Sequence, residues 1–272
     1  MLFRSLGVIP PAPDRPALDG RIPPAVAGLK ARADALRSIG FDSSAELELR
    51  AAYAATNEPR LLFEAAQEAA AAGQYGAAIV TVRQIFPQLE SEAFSEIPRD
   101  VWLTAYALPY ESTIRSWSRK NGLDPLLVAG LVRQESAFNP DALSVSDAVG
   151  LMQLLPKTAR LVAREQRLRY SRMRLNDPDY NVRLGTAYLA SLEKQLGSVE
   201  AALAAYNAGD DRVRQWTTGQ TYHEPAEFVE SIPFTQTRLY VQIITRNASI
   251  YRRLYGAQNA NESRTPRTGR GD

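Results

Sequence analysis

The residue that most invites chemistry is Glu135, in the stretch 130-GLVRQESAFNP-140. Asp124 followed by Pro125 is a strong helix start, an acid at the N-cap and a proline in the first turn. The helix then reads DPLLVAGLVRQES and should stop before Asn139-Pro140. At about 100° per residue, Leu127, Val128, Leu131 and Val132 lie within about 80° of Glu135, while Arg133 falls on the opposite side. Glu135 is therefore centred on an apolar stripe and should face the interior or a cleft. Burial disfavours its charged form, and the negative end of the helix dipole acts in the same direction. A carboxylic acid kept protonated near neutral pH is what a general acid needs. A structural glutamate paired with an arginine fits the same position, because buried charges are usually paired.

The segments that follow supply polar and apolar groups without metal or phosphate chemistry. Ser144 lies in the turn-rich loop PDALSVSDAVG. In 150-GLMQLLPKTA-159, Gly150 permits close backbone approach, Met152 offers a soft apolar surface and Gln153 both donates and accepts. Pro156 opens another helix. In 203-LAAYNAG-209, Tyr206 and Asn207 end a helix that Gly209 stops. Aromatic faces, amides and one acid suit a neutral polyhydroxylated ligand such as a sugar.

Composition narrows the alternatives. The 272 residues are 45% hydrophobic and 23% charged, with a net charge of +2, too small to argue for nucleic acid. There is no cysteine and a single histidine, His223, so thiolate and histidine metal clusters are ruled out and no cofactor is implied. His223 sits in the loop TYHEPAEF without a nucleophile motif. No apolar run is long enough to span a membrane. Six arginines, at 160, 164, 167, 169, 172 and 174, form either a solvated helix face or a basic rim.

The elements that must position these residues read as all-α, with no sustained period-2 alternation. Residues 1–24 are proline-rich and should be extended. Residues 25–100 read as short alanine-rich helices. Gly40 and Gly73 close two of them, 33 residues apart, a spacing that suits helical hairpins of the TPR type; plain helices without repeat ancestry fit as well. The boundary falls near residues 95–105, residues 101–256 form a second domain, and residues 257–272 should be disordered.

Taken in order, ESAFNPDALS, GLMQ, PKTA, AYNAG and 230-ESIPFTQTRLYV-241 resemble the catalytic domain of the soluble lytic murein transglycosylases. The resemblance covers roughly residues 102–256, and the helices before it are similar to the end of that family's superhelical domain. It implies a goose-lysozyme-like α-helical fold. It implies cleavage of the β-1,4 bond between N-acetylmuramic acid and N-acetylglucosamine in peptidoglycan, leaving a 1,6-anhydromuramic end. Carried over by position, Glu135 is the single acid and then base, Ser144, Gly150, Met152, Gln153, Tyr206, Asn207 and Tyr240 line the glycan groove, and Glu230 lies near it. The family's methionine two residues after the GLMQ glutamine is Leu155 here, and the acid of its E-T-R segment is Gln236. Two other readings fit the same fold: a lysozyme-type hydrolase, with Asp141 or Asp147 holding the water, and an inactive glycan-binding or helical adaptor. Peptidoglycan is the expected partner and the periplasm or cell envelope the expected location, with peripheral association open. The N-terminal residues lack the features of a signal peptide, so the chain is expected to be either a piece of a longer exported precursor, which the short repeat array favours, or a stand-alone product delivered another way.

Overall fold

The computed structural model describes residues 16–87, 89 and 96–262. Among these the chain is helical throughout, with isolated bridges at Leu143–Val149 and Val149–Leu154 as its only β-type pairing. It divides into two compact units, residues 1–105 and 106–272. Residues 1–15, 88, 90–95 and 263–272 lie outside the described set, and with them most of the proline-rich segment, the end of the tail and part of the inter-domain loop.

The first unit contains α1 (Ala27–Ser38), α2 (Asp42–Thr56), α3 (Pro59–Ala71), α4 (Tyr75–Ile85) and α5 (Arg99–Ala105). Each of the first four packs on its neighbour in sequence, as short connections require. Gly40 and Gly73 carry φ of +76° and +77°, the left-handed turn that ends α1 and α3. Alanines at 33, 45, 52, 65, 66 and 69 have no exposed surface, so small side chains set the close helix spacing.

The second unit contains α6 (Glu111–Lys120), α7 (Pro125–Ser136), α8 (Pro156–Glu165), α9 (Pro178–Leu196), α10 (Val199–Ala208), α11 (Asp210–Thr217), α12 (Pro225–Ser231) and α13 (Thr235–Glu262). The Asp124 carboxylate accepts from the Leu126 amide, which caps α7 where the sequence places its start. Leu126 through Arg133 are all buried, and each Leu or Val there contributes about 1.5–3 kcal/mol of burial. The side of α7 opposite Glu135 is buried as well. Its Arg133 guanidinium lies 3.9 Å from the Tyr106 ring centroid, where a cation is stabilised by the aromatic face.

α13 crosses α7 closely because residue 130 is a glycine. A Cβ there would stand 3.0 Å from the Ile244 carbonyl oxygen and 3.1 Å from the Ala248 nitrogen. α13 also runs on to Glu262, beyond Gly256 and beyond residue 256, where the sequence reading ends the domain. A glycine without a left-handed turn only weakens a helix, by about 1 kcal/mol, and does not end it.

Candidate active site

Glu135 sits one residue before the end of α7, where Ala137 turns the chain left-handed at φ 48°. Ser136 ties this end to the next loop by donating to the Leu151 carbonyl at 2.9 Å. From the facing helix α13, the Tyr240 hydroxyl donates to Glu135 Oε1. The second carboxylate oxygen is left for another partner. Burial raises the Glu135 pKa to about 7, and the Tyr240 hydrogen bond, which favours the charged form, offsets this only in part. No cation and no second carboxylate contributes to the shift. Tyr240 is buried, and burial together with the Glu135 charge keeps its phenol well above the usual range, so it stays a donor.

The loop between α7 and α8 is held by a residue that sequence reasoning missed. Asn181, on α9, has no exposed surface. Its Oδ1 accepts from the Met152 amide at 2.8 Å, and its Nδ2 donates to the Val149 and Leu175 carbonyls at 2.9 and 2.8 Å. All its side-chain capacity goes to fixing this loop. Gly150, at φ +79°, packs directly on it: a Cβ there would fall on the Leu175 carbonyl and the Asn181 amide. Gly150 is buried, and its lack of a side chain is what lets the loop pack on Asn181 and Leu175.

Met152 differs from expectation. Its side chain has no exposed surface and its sulfur lies against Gly185. What this position orients toward the site is its backbone: the Tyr206 hydroxyl donates to the Met152 carbonyl at 2.7 Å. Gln153 takes φ +46° and donates to the Ala142 and Gly150 carbonyls at 3.0 and 2.9 Å, which fixes its amide. The Ser144 hydroxyl oxygen accepts from the Ser146 and Ala148 amides at 3.2 and 3.0 Å, shaping its own loop.

Gln153, Tyr206 and Asn207 meet at a groove of about 320 Å³ that Leu155 also lines, along with Tyr188. Leu155 is 44% exposed and presents an apolar wall there. Tyr206 and Tyr188 pack ring to ring at 5.3 Å, and the Glu135 charge helps raise the Tyr206 pKa, while Glu135 itself is not among the residues that line this groove. Asn207 accepts from Thr237 at 2.9 Å, joining the end of α10 to the start of α13. Glu230 is exposed on α12 and accepts from Gln242 at 2.8 Å. Gln236 is exposed, as is His223.

The aspartates considered as water-holders are engaged elsewhere. Asp147 is paired in bidentate fashion with Arg172, and Asp141 accepts from Asn176 at 3.1 Å. The arginine run divides rather than forming one face. Arg172 makes that pair, Arg174 lies 4.3 Å from the Tyr180 ring centroid, and Arg160 lies 5.0 Å from that of Tyr170. Among the described residues no cluster of His, Cys, Asp or Glu could hold a metal ion.

Comparison with known proteins agrees with this geometry. Residues 112–229 match the family model described as Transglycosylase SLT domain. The soluble lytic murein transglycosylase of Salmonella typhimurium is 35% identical over 159 residues, 57% of this chain and 25% of that protein. A putative soluble lytic murein transglycosylase of Haemophilus influenzae is 42% identical over 134 residues, 47% of this chain and 22% of that protein. The chain thus spans about a quarter of the length of these two curated relatives. The X-ray structure of an inactive mutant of lytic transglycosylase Slt from Pseudomonas aeruginosa superposes with a TM-score of 0.67 at 31% identity, covering 88% of this chain and 38% of that one. Residues 112–229, which carry Glu135 and the groove residues, are thus similar to a transglycosylase SLT domain, and the all-α, lysozyme-like fold is shared with the solved lytic transglycosylase.

Proposed function

We propose that this chain acts as a lytic transglycosylase on the glycan strands of peptidoglycan. It would cleave the β-1,4 bond between N-acetylmuramic acid and N-acetylglucosamine and leave a 1,6-anhydromuramic end. The observation that carries the reading is Glu135: a partly buried carboxyl with a pKa near 7, held by a tyrosine, on which no second carboxylate acts.

A glycosidase that uses water generally needs two carboxylates. One carboxyl suffices if the substrate supplies both the assistance and the nucleophile. Protonated Glu135 gives its proton to the leaving oxygen as the bond from that oxygen to C1 breaks, while the N-acetyl group of the muramic residue stabilises C1. The resulting carboxylate, steadied by the Tyr240 hydroxyl, then takes the proton of the C6 hydroxyl as O6 closes on C1. The proton lost in the first half is regained in the second, and no water is consumed. A pKa near 7 leaves both forms accessible at neutral pH, which a group acting as acid and then base requires. The intramolecular attack also gains from proximity over bulk water.

The groove at Gln153, Tyr206, Asn207 and Leu155 would hold the sugars, with Met152 supporting it through the Tyr206 hydroxyl, Tyr240 acting on Glu135, and Ser144 and Glu230 outside its lining. Peptidoglycan is then the partner, and the cell envelope the place of action. Among the described residues no helix is long and apolar enough to cross a membrane. Mass spectrometry of products released from purified peptidoglycan tests the reading. Anhydromuramic ends, lost with Glu135→Gln by about 10³-fold, are expected for removal of a general acid. Reducing ends would instead identify a hydrolase.

A further inference from the structure

The two most exposed large hydrophobic side chains among the described residues are Val145, which is fully exposed, and Met173, at 88%. They lie on different segments, yet hydrogen bonds and an ion pair join those segments. Arg172, next to Met173, pairs in bidentate fashion with Asp147, in the same loop as Val145. Asn176 donates to the Asp141 carboxylate at 3.1 Å and to the Pro140 carbonyl at 3.3 Å. Leu143, 64% exposed, adds a third apolar side chain to that loop.

Both segments are pinned to the fold. The Ser144 amide donates to the Ala148 carbonyl at 2.9 Å, and the Asp147 amide donates to the Ser144 carbonyl at 3.0 Å. These bonds close a tight turn with Val145 at its tip. Met173 opens a short 3-10 helix, Met173–Asn176, whose Leu175 is buried. Turns ordinarily carry Gly, Asn, Asp, Ser or Pro. Here a fixed turn holds a valine out in water, where its apolar surface adds nothing to the core.

The surroundings are cationic. The stretch 166-QRLRYSRMRLN-176 has four arginines and no acid. Arg167, Arg169, Arg172 and Arg174 are all exposed. Asp147 compensates Arg172, which leaves Arg167, Arg169 and Arg174 to carry the excess charge. Protruding apolar tips beside arginines make no pocket for a soluble ligand, and none of these side chains lines the groove. They match a membrane surface, where apolar tips enter the headgroup boundary and guanidinium groups meet phosphates.

We infer that this face docks on a bilayer carrying anionic phosphate headgroups, with Val145 and Met173 entering the lipid and Arg167 and Arg169 meeting the phosphates. The inference goes beyond the glycan reading and does not depend on it, since lipid vesicles contain no glycan.

The test is sedimentation with vesicles of phosphatidylglycerol and phosphatidylethanolamine, against vesicles of phosphatidylcholine alone. The chain should partition to the anionic vesicles about tenfold or more strongly, and added salt should weaken this. Val145→Ser with Met173→Ser should lower the partition about tenfold, the scale of withdrawing two apolar side chains from lipid. Arg167→Gln with Arg169→Gln should lower it by about the same factor at low salt. All four positions are exposed, so urea unfolding of both variant pairs should match the wild type and separate lost partition from lost fold. A wild type that stays in solution with anionic vesicles, or binds both vesicle types equally, would overturn the proposal. So would a Val145–Met173 variant pair that binds like the wild type: dependence on the arginines alone would mark a face for soluble polyanions.

Discussion

The two units bury glutamates in opposite ways. In the first, Glu46 and Glu68 are 7% and 4% exposed, and each meets a guanidinium: Arg50 at 2.8 Å from Glu46, and Arg37 against Glu68. Glu64 has Arg60 at 2.9 Å and Lys30 at 3.2 Å. In the second unit Glu135 meets a phenol and no cation. A carboxylate set against a cation is compensated where it is buried, and Arg37 with Glu68 and Lys30 with Glu64 join α1 to α3. One that is desolvated without a cation becomes a weak acid whose proton can move. The comparison teaches that burial alone does not mark a catalytic acid. The missing cation does.

The largest expected effect bears on the cost of that arrangement. A folded-state pKa of about 7 against 4.5 for a free glutamate means the folded chain holds a proton that the unfolded chain releases. Stability should therefore fall as pH rises from about 4.5 to about 7, by about 3 kcal/mol in all. Glu135→Gln cannot ionise and keeps an acceptor for Tyr240. It should be more stable than the wild type by about that amount at pH 8 and no more stable at pH 4. Denaturant melts at the two pH values read this, and equal stabilities at pH 8 would mean that Glu135 is not desolvated.

The opposite behaviour is expected of Arg37→Met. It leaves Glu68 buried without its cation and should cost about 2 kcal/mol at pH 7 by urea unfolding. A variant as stable as the wild type would erase the distinction between the two units. The smallest effect is that of Tyr240→Phe. The Tyr240 hydrogen bond lowers the Glu135 pKa, so its loss should raise that pKa further. The alkaline limb of the kcat/KM profile, where Glu135 loses its proton, should then move to higher pH. A limb that stays in place would show that Tyr240 does not act on Glu135.

What could be read from the sequence followed how local its causes are. The α7 cap at Asp124-Pro125, the start at Pro156, and the glycine stops at 40, 73 and 209 depend on a few adjacent residues, and the structure has them at those positions. The setting of Glu135 was legible because an apolar stripe repeats with the helix period. The inward turn of Met152 was not, since the loop there pairs Val149 with Leu154 and swings the side chain onto Gly185. Asn181 left no local trace either, because its partners at Val149 and Met152 lie some thirty residues earlier. The Glu135–Tyr240 contact spans 105 residues and depends on Gly130 letting α13 approach. Tyr240 itself was reached only through the family's E-S-I-P-F segment. The arginine run misled in the simplest way: its members share sequence proximity and little else, since Arg172 pairs with Asp147 while Arg160 and Arg164 border a cavity.

The most direct test of the central claim is the titration of Glu135 itself, followed by carboxyl-carbon NMR in protein labelled at glutamate side chains and assigned with Glu135→Gln. A single carboxyl titrating near pH 7 and absent from the variant is the predicted result. A Glu135 signal titrating in the ordinary range near 4.5 would contradict it.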